Sequence, residues 1–234
     1  MPNMKKDAAN LFFLDQNGLD QITKSIFQSI VAMPKTDFIF FIASAMVNRF
    51  KEKHDIRKYV PITDDDLKTM KNTNVHRLLA NAYRRWIPAD YFLGSFSIKK
   101  GANVYGLVFG SGHPLGIDKF LHVAWRHGGD ANFDIDEDGI DPMKPSLFDE
   151  FNKPTKIKVF EKELEKAILA RILTTNKDIY IFALQNGMLA SHARDALNEM
   201  VKNKKLPKQD FHISYNAWKK SVVEIVRHFG GESK

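Results

Sequence analysis

The chain has 234 residues and a formal net charge of +7, with 44% hydrophobic and 27% charged residues. This is the composition of an ordinary globular protein and excludes a disordered tail. With no cysteine, disulfides, thiolate zinc sites, iron–sulfur ligation by this chain and a cysteine nucleophile are all excluded, and a reducing, cytoplasmic setting fits. The opening MPNMKKDAANLFFLDQNG shows no secretory pattern, and no window approaches the roughly 18 uninterrupted apolar residues of a membrane helix. The charge is unevenly divided. Residues 151–234 carry 16 Lys or Arg against 9 Asp or Glu, whereas residues 1–150 carry 19 of each. That division predicts two modules, 1–150 and 151–234, with different partners.

The first module opens on a short apolar strand, Leu11-Phe-Phe-Leu, leading into Asp15-Gln-Asn-Gly18, where Asn-Gly signals a turn because both residues tolerate positive φ. Apolar residues at Leu19, Ile22, Ile26, Phe27, Ile30 and Val31 recur every three or four positions and predict an amphipathic helix. The continuous apolar run Asp37-FIFFIAS suits a parallel strand buried on both faces, so the three segments read as a βαβ unit. From Ala45 to about Trp86 the pattern is helical, broken around Tyr59-Val-Pro-Ile-Thr, and Thr63 with three following aspartates reads as an N-cap. Residues 96–110 predict a β-hairpin turning at Lys99-Lys-Gly-Ala-Asn. A further helix, Pro114-LGIDKFLHVAW, precedes an acidic loop.

The second module follows a polar stretch containing Pro142, Pro145 and Pro154. Helices are predicted over Lys156–Leu173, Asp178–Gln185 (closed by Asn186-Gly187) and Ser191–Lys202, the last with Ala193, Leu197 and Met200 inward. A short strand at Phe211-His-Ile-Ser-Tyr and a closing helix over Asn216–Phe229 complete the reading. Three helices with a tight turn before the third, then a strand pair, describe a winged helix-turn-helix.

Phe13-Leu-Asp followed by Gly18, Asp37-FIFFIAS, Asn48-Arg-Phe, Phe96-SIKKG, Val104-YGLVFGSGHPLG and the terminal winged helix resemble the three-Cys-motif partner proteins over nearly the whole chain. The resemblance implies a first domain like a class I methyltransferase and a genetic neighbour that is a radical-SAM-like protein carrying three cysteines. In the methyltransferase fold the strands run in the order 3-2-1-4-5-7-6. Leu11–Leu14 would match strand 4, Phe38–Ala43 strand 5 and the hairpin strands 6 and 7. Strands 1–3 find no counterpart in the ten residues before Leu11. The expected fold is therefore α/β, a partial Rossmann-like sheet of methyltransferase type ending in a β-hairpin, followed by a winged helix. The strand near Leu11–Leu14 would be an open apolar edge, which is an aggregation hazard. A protein partner is expected to cover it, either another polypeptide supplying the missing strands or a second copy.

Several motifs carry candidate chemistry. Asp15 lies where amino-methyltransferases place an Asp/Asn-Pro-Pro-aromatic motif, but Gln16 and Asn17 remove the proline and the stacking ring, and a turn-forming aspartate at a strand end is the competing reading. Gly110, Gly112 and Gly116 follow a strand and precede a helix, in the manner of a phosphate-binding glycine loop. Pro114 nevertheless lacks an N–H where an anion would want one, so a close-packed strand-to-helix turn competes. Asp134-Ile-Asp-Glu-Asp-Gly139 matches the first half of an EF-hand loop, but Pro145 replaces the bidentate glutamate and too few oxygens remain for calcium. His113, His122 and His127 lack metal-ligand spacing, and there is neither HExxH nor GxSxG. No metal site is expected. Trp86 and Trp218 read as packing anchors.

The strongest binding feature is the winged helix. Ser191, His192 and Arg194 open the expected recognition helix, the end that meets base edges, and Lys202, Lys204, Lys205 and Lys208 follow where phosphate contacts belong. The expectation is a non-catalytic, nucleic-acid-associated subunit of a prokaryotic hetero-oligomer, half of a split pseudo-methyltransferase, binding DNA or RNA and no membrane, and no cofactor by itself. Two alternatives stand beside it. One is an S-adenosylmethionine-dependent nucleic-acid methyltransferase subunit completed by a partner chain; the other is a protein-docking adaptor for the radical-SAM-like partner. Antiphage defence or nucleic-acid modification would suit such a two-gene arrangement.

Overall fold

The computed structural model describes residues 9–15, 23–43, 45, 47, 49, 56–70, 75–100, 103–127 and 156–229. The chain divides into two compact units, Met1–Leu147 and Phe148–Lys234.

The first unit is a mixed α/β unit built on a four-stranded sheet. Strand β1 (Asn10–Asp15) leads through helix α1 (Lys24–Val31) to β2 (Thr36–Ala43), and the two strands pair in parallel, Phe12 opposite Phe38 and Leu14 opposite Phe40. A single 3-10 turn (Ile56–Lys58), α2 (Asp64–Thr69) and α3 (Val75–Arg84) follow. Thr63 caps α2 as expected: its hydroxyl accepts the Asp66 N–H at 3.1 Å while the Asp66 carboxylate accepts the Thr63 N–H at 2.9 Å. Burial acts to raise the Asp66 carboxyl, but these Thr63 donors and the nearby Arg85 outweigh it and hold the group below its usual range. The hairpin β3 (Phe92–Lys100) and β4 (Asn103–Ser111) is antiparallel, and β4 also pairs antiparallel with β2. The sheet order is β1-β2-β4-β3. Helix α4 (Pro114–His127) then packs on β3 and β4.

The sheet's two faces are covered unequally. One face presents Phe38, Phe40, Leu93 and Val108 to α1 and α3, where Phe27, Leu79 and Tyr83 complete a buried core. The rings of Phe27 and Tyr83 stack 4.9 Å apart, and those of Phe38 and Phe40 4.5 Å apart. The opposite face is covered where α4 lies, through Ile117 and the Phe109–Phe120 stack at 4.7 Å. That helix contacts β3 and β4, so Leu11 and Phe13 on β1 stay 61% and 70% exposed. The expectation that the Asp37-FIFFIAS strand is buried on both faces is therefore half met: Phe38, Phe40 and Ile42 are buried, while Ile39 and Phe41 are only partly so.

The second unit is helical. Its helices are α5 (Lys156–Leu169), α6 (Asn176–Gln185), α7 (Ala190–Lys202) and a short α8 (Tyr215–Lys219). Helix α7 packs on both α5 and α6, and α6 also meets α8, around Phe160, Leu164, Ile179, Leu184, Leu197 and Ile213.

Two expectations for this unit need correction. Phe211–Tyr215 forms no strand ladder, and the closing helix over Asn216–Phe229 is five residues of α8 followed by an extended arm whose Ile225 bridges Thr175. The sequence Val222-Val-Glu-Ile-Val explains the second correction, because β-branched side chains lose χ1 freedom in a helix and fit an extended chain.

Gly110 lies against the Phe38 ring, which a Cβ would overlap. Gly110→Ala is expected to destabilise the first unit by about 1–3 kcal/mol through overpacking, measurable as a lower urea midpoint with an unchanged m-value.

Candidate nucleic-acid interface

The helix-turn-helix is built by local capping. Thr175 caps α6: its hydroxyl accepts the Asp178 N–H at 3.1 Å and the Asp178 carboxylate accepts the Thr175 N–H at 3.0 Å. The helix ends on Gly187 at φ +70, with the Met188 N–H bonded to the Ala183 carbonyl at 2.8 Å, a Schellman ending that reverses the chain before α7. At the start of α7, His192 Nδ1 accepts the Leu189 N–H at 3.2 Å. Helix α7 ends in the same motif with Lys204 at φ 57, the Lys205 N–H reaching the Met200 carbonyl at 2.8 Å.

Beyond α7, residues 209–213 and 222–228 form two arms joined by α8. Two side-chain amides hold them together. The buried Asn176, 4% exposed, donates from Nδ2 to the carbonyls of His212 (3.1 Å) and Val222 (3.2 Å) and accepts the Glu224 N–H at 2.9 Å. Gln209 donates to the Arg227 carbonyl and accepts the Arg227 N–H, both at 2.9 Å. The Glu224 carboxylate adds bonds to the His212 N–H (3.2 Å) and ring (2.6 Å). Each amide stands in for a ladder rung, which makes this a wing of two arms without a β-hairpin. Helix α8 at its tip is capped by Ser214, whose hydroxyl accepts the Ala217 N–H at 3.1 Å, and carries the stacked Tyr215–Trp218 pair.

The expected contact residues divide into engaged and unengaged groups. Ser191 and His192 are partly buried at the start of α7, and His192 is part of its cap. Arg194 is exposed and spends one guanidinium donor on the Ile213 carbonyl at 3.0 Å, tying α7 to the first arm. Lys202 pairs with Glu199 at 3.4 Å and Lys205 with Glu165 at 2.6 Å. Lys204 and Lys208 are exposed. Lys219, Lys220 and Arg227, which the sequence reading places inside a helix, are also exposed on the wing; the β-branched run after Ser221 is the signal for that extended arm. Near the wing's end, burial and then the neighbouring Arg171 push the His228 imidazole below its usual value.

In the first unit, Asp15 closes β1 and is exposed. Gly110 and Gly116 are explained by packing, the latter because a Cβ would strike the buried Ser111 hydroxyl; Gly112 lies within ordinary contact of Tyr91. At the start of α4 the donors an anion would use are already committed: the Leu115 N–H to His113 Nδ1 at 3.1 Å and the Gly116 N–H to the His113 carbonyl at 3.0 Å. On the same helix, burial raises the Asp118 carboxyl, with His122 and Lys119 opposing it. The acidic loop Asp134–Gly139 lies outside the described residues, as do Gln16 and Asn17. Among the described residues, no cluster of His, Asp or Glu could hold a metal ion, and no helix is long and apolar enough to cross a membrane.

Three helices around a tight turn, followed by a two-armed extension, define a winged helix-turn-helix. A family model described as a GMT-like wHTH domain matches residues 132–210. No curated protein and no solved structure matches the chain.

Asn176→Ala would leave buried wing carbonyls and an N–H without partners and should cost about 1–3 kcal/mol. Hydrogen exchange should accelerate at Glu224 by an order of magnitude or more while the amides in the middle of α5 stay protected.

Proposed function

We propose that this chain is a non-catalytic, nucleic-acid-associated subunit of a prokaryotic hetero-oligomer, with its winged helix contacting DNA or RNA. The observation that carries the reading is a winged helix on a unit holding 16 Lys or Arg against 9 Asp or Glu in residues 151–234. A basic surface attracts the phosphate backbone and releases counterions, so affinity should fall steeply with salt. With four phosphates engaged, the log–log slope against a DNA duplex is expected near −3.6, read by fluorescence anisotropy across a salt series. Absence of any salt-dependent affinity for DNA and RNA would overturn the proposal.

The first unit supports the partner half of the reading. Its order β1-β2-β4-β3 is the order that strands 4, 5, 7 and 6 take in a class I methyltransferase, consistent with the resemblance to the three-Cys-motif partner proteins. Among the described residues β1 pairs on one side only, and Leu11 and Phe13 lie exposed on it; an apolar edge of this kind recruits a further strand. The partner we propose is a polypeptide completing that sheet. Purified alone, the chain should self-associate or precipitate at micromolar concentration; size exclusion with light scattering giving a stable monomer would remove this half. A sheet completed in this way could also hold S-adenosylmethionine, and binding of that cofactor by the isolated chain would favour an enzyme subunit instead.

A second reading, a protein-docking adaptor, is favoured by Val223 and Ile225 on the second arm of the wing and Phe229 just beyond it, which lie 55%, 73% and 60% exposed. An adaptor would show little nucleic-acid affinity and no steep salt slope.

A further inference from the structure

The winged helix offers two surfaces to a nucleic acid, and they differ in net charge and in how far their cations are engaged within the protein. The exposed side of α7 presents Arg194, Asp195, Asn198, Glu199 and Lys202, two cations against two carboxylates. Asp195 and Glu199 are one turn apart and therefore share a face, where two negative charges would repel a polyanion. The helix's cations are also engaged within the protein, Arg194 with the Ile213 carbonyl and Lys202 with Glu199, and His192 holds the Leu189 N–H. Residues 208–229 are different: they hold four Lys or Arg, Lys208, Lys219, Lys220 and Arg227, against Asp210 and Glu224. Glu224 already bonds His212, and among the described residues no ion pair engages the side chains of Lys208, Lys219, Lys220 or Arg227.

The wing is also held in shape without a β-ladder. Asn176 and Gln209 clamp its arms, and α8 is capped at Ser214 and closed by Ser221 at φ 54. Lys219 and Lys220 thus sit at the C-terminal end of a short, well-fixed helix at the tip, and Lys208 and Arg227 neighbour the Gln209 clamp at the base. Cations fixed in place lose less freedom on meeting a phosphate than cations on a mobile loop.

We infer that the wing, through Lys208, Lys219, Lys220 and Arg227, grips the phosphodiester backbone of a duplex, and that α7 acts as its brace rather than as the reader of base edges. This rests on the nucleic-acid reading above and changes which surface carries it. Phosphate chemistry is common to DNA and RNA, so both duplexes belong in the test.

Anisotropy of labelled 20-bp DNA and RNA duplexes across a salt series would be compared for the full chain and three variants. Lys219→Gln/Lys220→Gln and, separately, Lys208→Gln/Arg227→Gln should each weaken binding about tenfold or more at low salt and make the log–log slope shallower by about 1.8. Ser191→Ala/Asn198→Ala, on α7, should bind within about twofold of the unmodified chain with an unchanged slope. Circular dichroism melts should show all three folded, since Lys208, Asn198, Lys219, Lys220 and Arg227 are exposed and Ser191 is only partly buried. Loss of affinity in the α7 variant, or full retention in both wing variants, would overturn the inference while leaving nucleic-acid binding intact. Failure of the unmodified chain to bind either duplex would instead remove the nucleic-acid reading, and this inference with it.

Discussion

The carboxamide of Asn176 is the point on which the C-terminal unit depends. It sits at the first position of α6, almost fully buried, and serves three backbone groups on both arms of the wing. A buried amide is costly to leave unsatisfied, so this one specifies where α6, the first arm and the second arm meet. The neighbouring Thr175 caps α6 and bridges Ile225 at once. One dipeptide therefore starts the middle helix of the motif and anchors the segment most distant from it in sequence. Gln209 repeats the device at the wing's base, and Arg194 carries the link on to α7.

In the N-terminal unit the comparable constraint is steric. Phe38 lies over Gly110, Ser111 against Gly116, and Gly94 beneath Ile117. Each glycine marks a place where a ring or a helix approaches the sheet too closely for a Cβ. The glycine-rich turn before α4 belongs to this packing, and the His113, Leu115 and Gly116 N–H groups are bonded within it. Helix α4 packs chiefly on β3 and β4, and Leu11 and Phe13 of β1 remain exposed to solvent. The two units differ accordingly: among the described residues β1 pairs on one side only in the first, and exposed cations lie along the wing in the second.

The sequence made much of this legible. The parallel β1–β2 pair joined by a helix, the hairpin, the Thr63 cap and the three helices around Asn186-Gly187 all lie close to where periodicity and turn chemistry put them, since each depends on residues near in sequence. The wing was misread because its arms are not held by a backbone ladder, the pattern that strand signals detect. They are held by Asn176 and Gln209, whose partners lie from 18 to 48 positions away. The candidate contact residues show the same dependence on distant partners. His192 and Arg194 are each bonded to the backbone of their own unit, and Lys219, Lys220 and Arg227 stand on the wing rather than in the expected helix.

By itself, then, the sequence determined composition, the separation of a neutral module from a basic one, and the order of helices and strands, because charge and local periodicity are properties of neighbouring residues. Tertiary structure alone decided that Lys219, Lys220 and Arg227 lie exposed on a wing rather than along one helix, and that Leu11 and Phe13 on β1 stay exposed. Both outcomes turn on which distant groups satisfy buried polar atoms and which helix reaches which strand, and no local pattern encodes either.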